Sequence, residues 1–136
     1  MTKTERAYFA AAKAVSELSD HRIKMGCVVV NKHRIISSGS NSISKCHRVQ
    51  AELDTERFGE DCPGKLHSET SALLPLIRSG ADLSDAAIYV YREHRDGTLA
   101  MARPCPSCER LIRQCGIKKI CFTIENGTAV EKLNYE

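Results

Sequence analysis

The sequence predicts a three-layer α-β-α fold of the α/β class, in which a mixed sheet of about five strands has helices on both faces. Its 136 residues, 42% hydrophobic and 27% charged, fit a single domain over residues 1–136. Helical and strand-like patterns follow one another in the order α-β-β-α-β-α-β-β. Only Glu125-Asn126-Gly127 separates the last two strands, and a connection that short cannot reach a parallel neighbour. The final strand, predicted over residues 128–131, is therefore antiparallel.

The first element is an amphipathic helix predicted over residues 4–19. Thr2 and Glu5 have the spacing of a capping box, which satisfies unpaired amides at a helix N-terminus. Apolar side chains then recur at the spacing of one helix face, at Tyr8, Ala11, Val15 and Leu18.

A tight β-hairpin is predicted next. Met25–Val30 and Arg34–Ser38 contain runs of β-branched residues, and the short polar segment between them indicates a turn. Residues 42–66 carry no sustained period. The sequence leaves two alternatives for them, a functional loop or a segment that is partly helical near Ala51–Phe58.

The second half of the chain alternates helices and strands. A helical pattern begins at Ser68 and stops at Gly80, and Ala86–Arg92 has the β-branched and aromatic composition of a strand. Another helix is predicted to begin near Pro106, because proline suits the first turn of a helix. Lys118–Ile124 is the strand that precedes the terminal turn.

Composition narrows the functions to consider. A net charge of +3 is compatible with an anionic small molecule and falls short of a dedicated DNA-binding surface. The longest apolar runs, Cys27–Val30 and Ala86–Tyr91, are far shorter than the roughly 20 residues that span a bilayer, and the polar start lacks a signal-peptide pattern. We therefore expect no membrane association and a cytoplasmic location. Seven cysteines, an odd number, then indicate thiols and a metal rather than disulfides.

Two short motifs carry the chemistry, and each opens a predicted helix: His67-Ser68-Glu69 and Pro104-Cys105-Pro106-Ser107-Cys108. Cys105 and Cys108 are three residues apart on a first helical turn, so both sulfurs can face one point. The positive end of the helix dipole favours their thiolates. His67 supplies a nitrogen from the other helix. Three protein ligands leave the fourth tetrahedral position of a Zn²⁺ ion to water, as a catalytic site requires.

Glu69 is the predicted catalytic residue. Zinc lowers the pKa of bound water from about 15.7 to roughly 7, so a neighbouring carboxylate can take its proton at neutral pH. The alternative is a closed structural zinc site, in which Cys46, His47 or Cys62 supplies a fourth ligand. Separately, these three side chains could together hold a second, structural zinc ion. A redox dithiol at Cys105 and Cys108 is disfavoured, because the pair does not follow the first strand of a βαβ unit.

With these motifs the chain resembles the cytidine and deoxycytidylate deaminase superfamily, from the first helix to about Phe122. The likeness includes Met25–Val30 and Gly39-Ser40-Asn41, which look most like the deoxycytidylate branch. It implies a cytidine deaminase-like fold, one Zn²⁺ ion, and hydrolytic deamination of a cytosine-containing nucleotide, most simply dCMP to dUMP with release of ammonia. It also implies a homo-oligomer, because small members commonly form dimers or tetramers. The predicted terminal hairpin is unlike the parallel fifth strand typical of the deoxycytidylate branch.

The resemblance also implies substrate contacts. Asn41 matches an asparagine that hydrogen-bonds the sugar, and an asparagine turn after a strand is the alternative. Ile43 stands where free-cytidine deaminases carry a glutamate, which argues against a free nucleoside. Ser68, in place of the usual alanine, is grouped with the substrate-binding residues. Three cations beside the matched segments are candidates to meet a phosphate, with solvated surface charges as the alternative: Lys45, Arg48 and Arg103.

Two other functions stay open on the sequence. The same chemistry could act on single-stranded DNA or RNA, but such substrates need aromatic stacking platforms, and the chain has no tryptophan. The aromatic residues expected outside the core are Phe58 and Tyr135. A non-catalytic zinc-binding module is the other alternative, and four protein ligands on the metal would establish it.

Overall fold

The structure is a computed structural model that describes residues 1–135, in which four helices and five strands form. In chain order they are α1 Lys3–Ser16, β1 Met25–Asn31, β2 Arg34–Ser40, α2 Arg48–Phe58, α3 Ser68–Ser79, β3 Ala86–Arg92, α4 Pro106–Gln114, β4 Lys119–Ile124 and β5 Gly127–Lys132. The predicted order is confirmed, with α2 added in the segment that the sequence left open. None of these helices has the length and apolarity of a bilayer span. Glu136, the last residue of the predicted domain, lies outside the described residues.

The five strands form one mixed sheet in the order β2-β1-β3-β4-β5. β3 and β4 pair in parallel on either side of the α4 crossover, and the other neighbours are antiparallel. The terminal hairpin closes at the pair Ile124 and Gly127, with Asn126 in the left-handed region at φ 63°. The predicted antiparallel final strand is confirmed, because so short a connection has no length for a crossover.

Helices cover both faces of the sheet, as predicted. Because side chains alternate along a strand, Val28 of β1 faces α1, whereas its neighbour Val29 faces the opposite layer. On the α1 side, Phe9 packs edge-on against Tyr89, with ring centroids 5.2 Å apart. On the other side, α2, α3 and α4 all contribute leucines to the larger core cluster, among them Leu53, Leu73 and Leu111. The three predicted layers are present.

Helix α1 is shorter than predicted. The Thr2 half of its predicted capping box is confirmed, since the Glu5 amide donates to Thr2 Oγ1 at 3.1 Å. The helix ends at Ser16, however, and Leu18 is 78% exposed. The Leu18 amide donates to the Val15 carbonyl, which tightens the chain into a turn and ends the helix. The prediction that Leu18 lies on the buried face is therefore wrong.

Residues 42–66 contain helix α2, which confirms the helical alternative for Ala51–Phe58. The helix already begins at Arg48, because His47 Nδ1 accepts a hydrogen bond from the Val49 amide at 3.0 Å and caps it. Its buried positions are Gln50, Leu53 and Asp54. Two of these three are polar, so the buried face leaves no apolar period in the sequence.

Gly39 lets α3 lie directly on β2. A Cβ at this position would be 2.5 Å from both the Ser68 carbonyl oxygen and the Ala72 amide nitrogen, closer than real Cβ contacts. The Ser37 hydroxyl, on the same strand, donates to the Ala72 carbonyl at 2.6 Å. These contacts position the first turn of α3, where the predicted ligand and catalytic motif begins.

Candidate metal centre and active-site cavity

Two helix N-termini converge at the site. His67 is the N-cap residue of α3 and Cys105 is the N-cap residue of α4, with Pro106 in the first turn as predicted. Neither capping side chain bonds to the amides of its own helix, so both are available as ligands. Cys108 follows in the first turn of α4 and is fully buried. The positive ends of both helix dipoles therefore lie where the three side chains meet.

The imidazole and the two thiols meet at ligand distances. His67 Nδ1 lies 3.2 Å from Cys108 Sγ and 3.6 Å from Cys105 Sγ, and the three ligand atoms lie within 4.8 Å of one another. A tetrahedral zinc ion with Zn–S of about 2.3 Å and Zn–N of about 2.0 Å requires N···S separations of about 3.6 Å. The predicted ligand set therefore fits the ion. Nδ1 is the ring nitrogen that faces the sulfurs, a choice that the sequence does not specify.

The candidates for a fourth protein ligand lie elsewhere. Within residues 1–135, no other group of His, Cys, Asp and Glu brings three ligand atoms this close, and Cys46, His47 and Cys62 do not join the first group. His47 Nδ1 instead caps α2, and the Cys62 thiol donates to the Glu60 carbonyl at 3.4 Å. A group of three protein ligands is typical of catalytic rather than structural zinc.

Hydrogen bonds among the three side chains favour a thiolate at Cys105. A hydrogen bond from the Cys108 thiol lowers the pKa of Cys105 to about 3, and the same interaction, together with burial, raises the pKa of Cys108 well above its usual value. The Cys105 sulfur raises the pKa of His67 through the hydrogen bond between them. A negative sulfur attracts a cation, and the thiolate is the form of cysteine that binds zinc.

Glu69 follows the ligand His67 by two residues and is 3% exposed. Burial raises the pKa of its carboxyl group, and a hydrogen bond of 2.5 Å from the Ser68 hydroxyl to Oε1 opposes that rise. A carboxylate with a raised pKa takes up a proton more readily near neutral pH. Its oxygens lie outside the group of three ligand atoms, so its position fits a general base rather than a metal ligand.

The predicted site residues share one cavity of about 390 Å³, a volume within the range of small-molecule sites. Six of the seven residues singled out from the sequence line it: Asn41, His67, Ser68, Glu69, Arg103 and Cys105. The seventh, Cys108, is fully buried and does not line the cavity. Metal ligands, a carboxylate and polar side chains therefore face the same space.

The Asn41 side chain holds together the segment that forms one side of the cavity. Its Oδ1 accepts hydrogen bonds from the Ser19 hydroxyl at 2.7 Å and the Met25 amide at 2.8 Å, and its Nδ2 donates to the Ile23 carbonyl at 2.7 Å. An amide group has two N–H donors, so one remains for a ligand. Both interpretations of Asn41 are thus compatible with its position, and contact with the substrate stays a prediction.

The three cations that the sequence suggested for a phosphate are placed differently from one another. Arg103 lines the cavity, but its guanidinium is held by Glu109 at 2.5 Å and by Glu131 at 2.6 Å. Lys45 and Arg48 are not among the described residues that line the cavity. Contact of any of the three with a phosphate stays a prediction.

Among the residues of the site that sequence reasoning missed, two have polar side chains with a specific role in the structure, Arg92 and Gln50. Arg92 lines the cavity, and its place as the last residue of a predicted strand is a signal that could have found it, because ligands bind at the carboxyl ends of parallel strands. Gln50 of α2 is fully buried; its Oε1 accepts from the His67 amide at 3.2 Å, and its Nε2 donates to Asp54 at 3.0 Å. No sequence signal indicates that Gln50 packs there.

Comparisons with known proteins agree with this geometry. The family model described as "Cytidine and deoxycytidylate deaminase zinc-binding region" matches residues 1–124. A deoxycytidylate deaminase of Mycobacterium phage D29 is 30% identical over 132 residues, covering 88% of this chain and 93% of that protein. The crystal structure of dCMP deaminase from the cyanophage S-TIM5 in complex with dCMP and dUMP has a TM-score of 0.61 and 29% identity, covering 88% of this chain and 81% of that chain. Cytidine deaminase from Burkholderia pseudomallei, 22% identical, shares the fold with a TM-score of 0.65, covering 97% of this chain and 93% of that chain.

Proposed function

The chain belongs to the cytidine and deoxycytidylate deaminase family, and from that premise we propose that it hydrolyses a cytosine-containing nucleotide, most simply dCMP to dUMP, with release of ammonia. One observation carries the proposal: three metal-ligand atoms converge, and two of their side chains, His67 and Cys105, line one cavity together with the buried Glu69 carboxylate. The phage D29 relative, similar over nearly its whole length, and the S-TIM5 enzyme in complex with dCMP and dUMP support a nucleotide substrate.

His67 Nδ1, Cys105 Sγ and Cys108 Sγ would hold one Zn²⁺ ion. Two sulfurs and an imidazole nitrogen suit zinc, whereas magnesium and calcium prefer oxygen ligands. When bound, zinc supplies Lewis acidity that brings the pKa of a water molecule to about 7. The proton transfers belong to residues of the chain.

Glu69 moves the protons in the proposed reaction. Its Oε1 is held by the Ser68 hydroxyl, which leaves Oε2 to accept a proton from the attacking water. The carboxyl group delivers that proton to ring nitrogen N3 as the C4–O bond forms. The Glu69 carboxylate then takes the remaining proton from the new C4 hydroxyl and passes it to the exocyclic nitrogen, so the C4–N bond breaks as the C4 carbonyl forms. Water and the cytosine amine thus become a uracil carbonyl and ammonia.

Three residues around Glu69 shape the substrate site in this proposal. Asn41 offers its remaining Nδ2 hydrogen to the sugar. Ser68 lines the cavity and orients the Glu69 carboxylate. Arg103, fixed by two carboxylates, forms part of the polar wall.

Glu69→Gln tests the role of the carboxylate. The variant is expected to retain zinc and to lose at least about 10³-fold in turnover, because an amide cannot accept the proton. Cys105→Ser is the contrasting variant and is expected to lose both zinc and turnover. Zinc content is measured by mass spectrometry of the metal, and turnover by ammonia release from dCMP. Full activity in zinc-loaded Glu69→Gln protein would refute the proposal.

A substrate panel tests the nucleotide assignment. Ammonia release is measured with cytosine, cytidine, deoxycytidine, their monophosphates and short oligonucleotides, and dCMP is expected to react fastest. Within the described residues the cavity lining includes no Phe, Tyr or Trp, which favours a free nucleotide over a single-stranded nucleic acid. Salt-dependent oligonucleotide binding without turnover of any free nucleotide would reverse this assignment.

The cytoplasmic location and the homo-oligomeric state also stay proposals. Self-association is proposed from the resemblance to the family, and light scattering of the purified protein tests it. A monomer at micromolar concentration would contradict it. Fractionation of cells that produce the protein tests the location.

A further inference from the structure

A second cavity joins the first beside Arg92. It has a volume of about 360 Å³, and Ile23 and Arg92 line both cavities. We propose that Arg92, at this junction, binds the 5′-phosphate of the substrate and so selects a nucleotide over the nucleoside. The inference rests on the proposed function and names the residue by which the same site recognises its substrate.

The backbone of Arg92 is held firmly at the end of β3. Its amide donates to Thr123 Oγ1 at 3.1 Å, and its carbonyl accepts from the Ala100 amide at 3.0 Å. One terminal nitrogen of the guanidinium, Nη1, donates to the Met101 carbonyl at 3.2 Å. This hydrogen bond orients the planar group, so its direction does not depend on a ligand.

The other edge of the Arg92 guanidinium has no acceptor. Nε is buried and makes no hydrogen bond, and the side chain takes part in no ion pair within residues 1–135. Buried N–H donors in proteins are nearly always paired, so an orphaned one calls for an explanation. The Nε and Nη2 hydrogens of arginine form a fork that matches two oxygens of a phosphate. A phosphate oxygen would satisfy this donor once the side chains that shield Nε move aside.

Arg103 offers the contrasting case in the same cavity. Its Nε and Nη2 both donate to the Glu131 carboxylate, at 2.6 Å and 3.2 Å, and Nη2 also donates to Glu109 at 2.5 Å. The fork that would bind a phosphate is therefore already filled by carboxylate oxygens. Lys65, a further cation of the cavity, donates its ammonium to the Ile43 carbonyl at 2.7 Å and presents no fork. Of these three cations, Arg92 is the one whose Nε has no acceptor among the described residues.

The second cavity adds positive charge around Arg92. Three more cations line it, and none of them forms an ion pair in the described part of the chain: Arg22, Lys24 and Arg95. Of its two acidic residues, Glu93 is already bound by Lys13 and by the Tyr91 hydroxyl. A dianionic phosphate is attracted to such a surface. Asn41, the proposed sugar contact, donates to the carbonyl of Ile23, which lines both cavities, so a phosphate beyond the sugar would point towards Arg92.

The test compares dCMP with deoxycytidine in zinc-loaded protein. Arg92→Gln is expected to lower kcat/KM for dCMP on the order of 10²-fold and to change kcat/KM for deoxycytidine less than about threefold. Arg110→Gln, which removes an equal charge from the exposed face of α4, is the matched control and is expected to leave both values unchanged. Arg92→Lys keeps the charge without the fork and is expected to recover only part of the preference. Thermal melts check that the variants fold.

Three results would overturn the proposal. The wild-type protein could show no preference for dCMP over deoxycytidine. Arg92→Gln could lower kcat/KM for dCMP and for deoxycytidine by the same factor. Arg103→Ala or Lys65→Ala could abolish the preference while Arg92→Gln keeps it.

Binding of the product separates this inference from the proposed reaction. Calorimetry with dUMP and deoxyuridine requires no turnover, and dUMP is expected to bind more tightly to the wild-type protein but not to Arg92→Gln. That result with no deamination of any compound would refute the proposed function and support the role of Arg92. Equal binding of dUMP and deoxyuridine to the wild-type protein would overturn the role of Arg92.

Discussion

Gly39→Ala tests whether the packing of α3 on β2 positions the metal centre. The added Cβ would lie 2.5 Å from the Ser68 carbonyl oxygen and from the Ala72 nitrogen, whereas ordinary van der Waals contact begins at 3.4 Å. The helix therefore has to move away from the strand by the difference, about 0.9 Å. The displacement acts on the turn that begins at His67 and contains Glu69.

A shift of this size is expected to affect catalysis more than folding. Overpacking typically costs about 1–3 kcal/mol of unfolding free energy, less than the total of about 5–15 kcal/mol that small domains have. Misplacing a reacting group by about 1 Å can lower a rate on the order of 10²-fold. Zinc affinity is expected to fall as well, because His67 moves with α3 while Cys105 and Cys108 belong to α4.

Two other glycines serve as controls. Gly127→Ala makes the same substitution where there is room, since its Cβ would meet nothing closer than Ile124 at 3.8 Å. It is expected to leave stability, zinc affinity and turnover unchanged. Gly26→Ala makes the same substitution on the other face of the sheet, away from the proposed ligands. Its Cβ would lie 2.1 Å from the Ala12 carbonyl oxygen of α1, so it is expected to lower stability without acting on the metal centre. Melting temperature, zinc affinity by chelator competition and dCMP turnover are measured on each variant. Wild-type zinc affinity and turnover in Gly39→Ala, or loss of both in folded Gly26→Ala, would refute the reasoning.

Two further predictions concern hydrogen bonds outside the ligand set. Gln50→Leu removes the acceptor of the His67 amide and is expected to weaken zinc binding about 10–100-fold in chelator competition, whereas Glu52→Ala, on the exposed side of the same helix, leaves it unchanged. Asp20→Asn is expected to lower the melting temperature at pH 7. Hydrogen bonds from the Ser44 hydroxyl and the Ile43 amide hold the pKa of Asp20 at about 2, below its usual 3.8, so this stabilisation is present above pH 3.8 and is lost as the pH falls through 2. A difference from wild type that stays constant between pH 5 and pH 2 would contradict it.

Elements with local signals could be predicted from the sequence. The capping box at Thr2, the Asn126-Gly127 turn and the glycine at position 80 each act through neighbouring residues, and the structure confirms all three elements. Helix α2 lacked such a signal, because it buries Gln50 and Asp54 instead of an apolar stripe. Leu18 was assigned wrongly for the opposite reason. Its spacing continues the apolar period of α1, although the helix has already ended at Ser16.

The candidate site likewise contains residues with a local sequence signal and residues without one. His67, Cys105 and Cys108 could be predicted, because each lies at the start of a helix within a short motif. That Arg92 lacks an acceptor at Nε while Arg103 is paired could not be predicted. The partner of Arg103, Glu131, lies 28 positions away in the sequence. Such pairings are set by the tertiary fold, and no local pattern of residues reports them.

The proposed zinc ligands and the cations of the cavity are held by different parts of the fold. His67 and Cys105 begin helices whose positions are set by the sheet and by α2. Arg92 and Arg103, in contrast, flank the connection between β3 and α4, and the Met101 carbonyl within that connection orients Arg92. If Arg92 binds the phosphate as we propose, changes in this connection are expected to alter the preference for a phosphate more than the metal centre. The ligand motif thus indicates the chemistry, whereas the proposed choice of a nucleotide depends on the residues that flank the 93–102 connection.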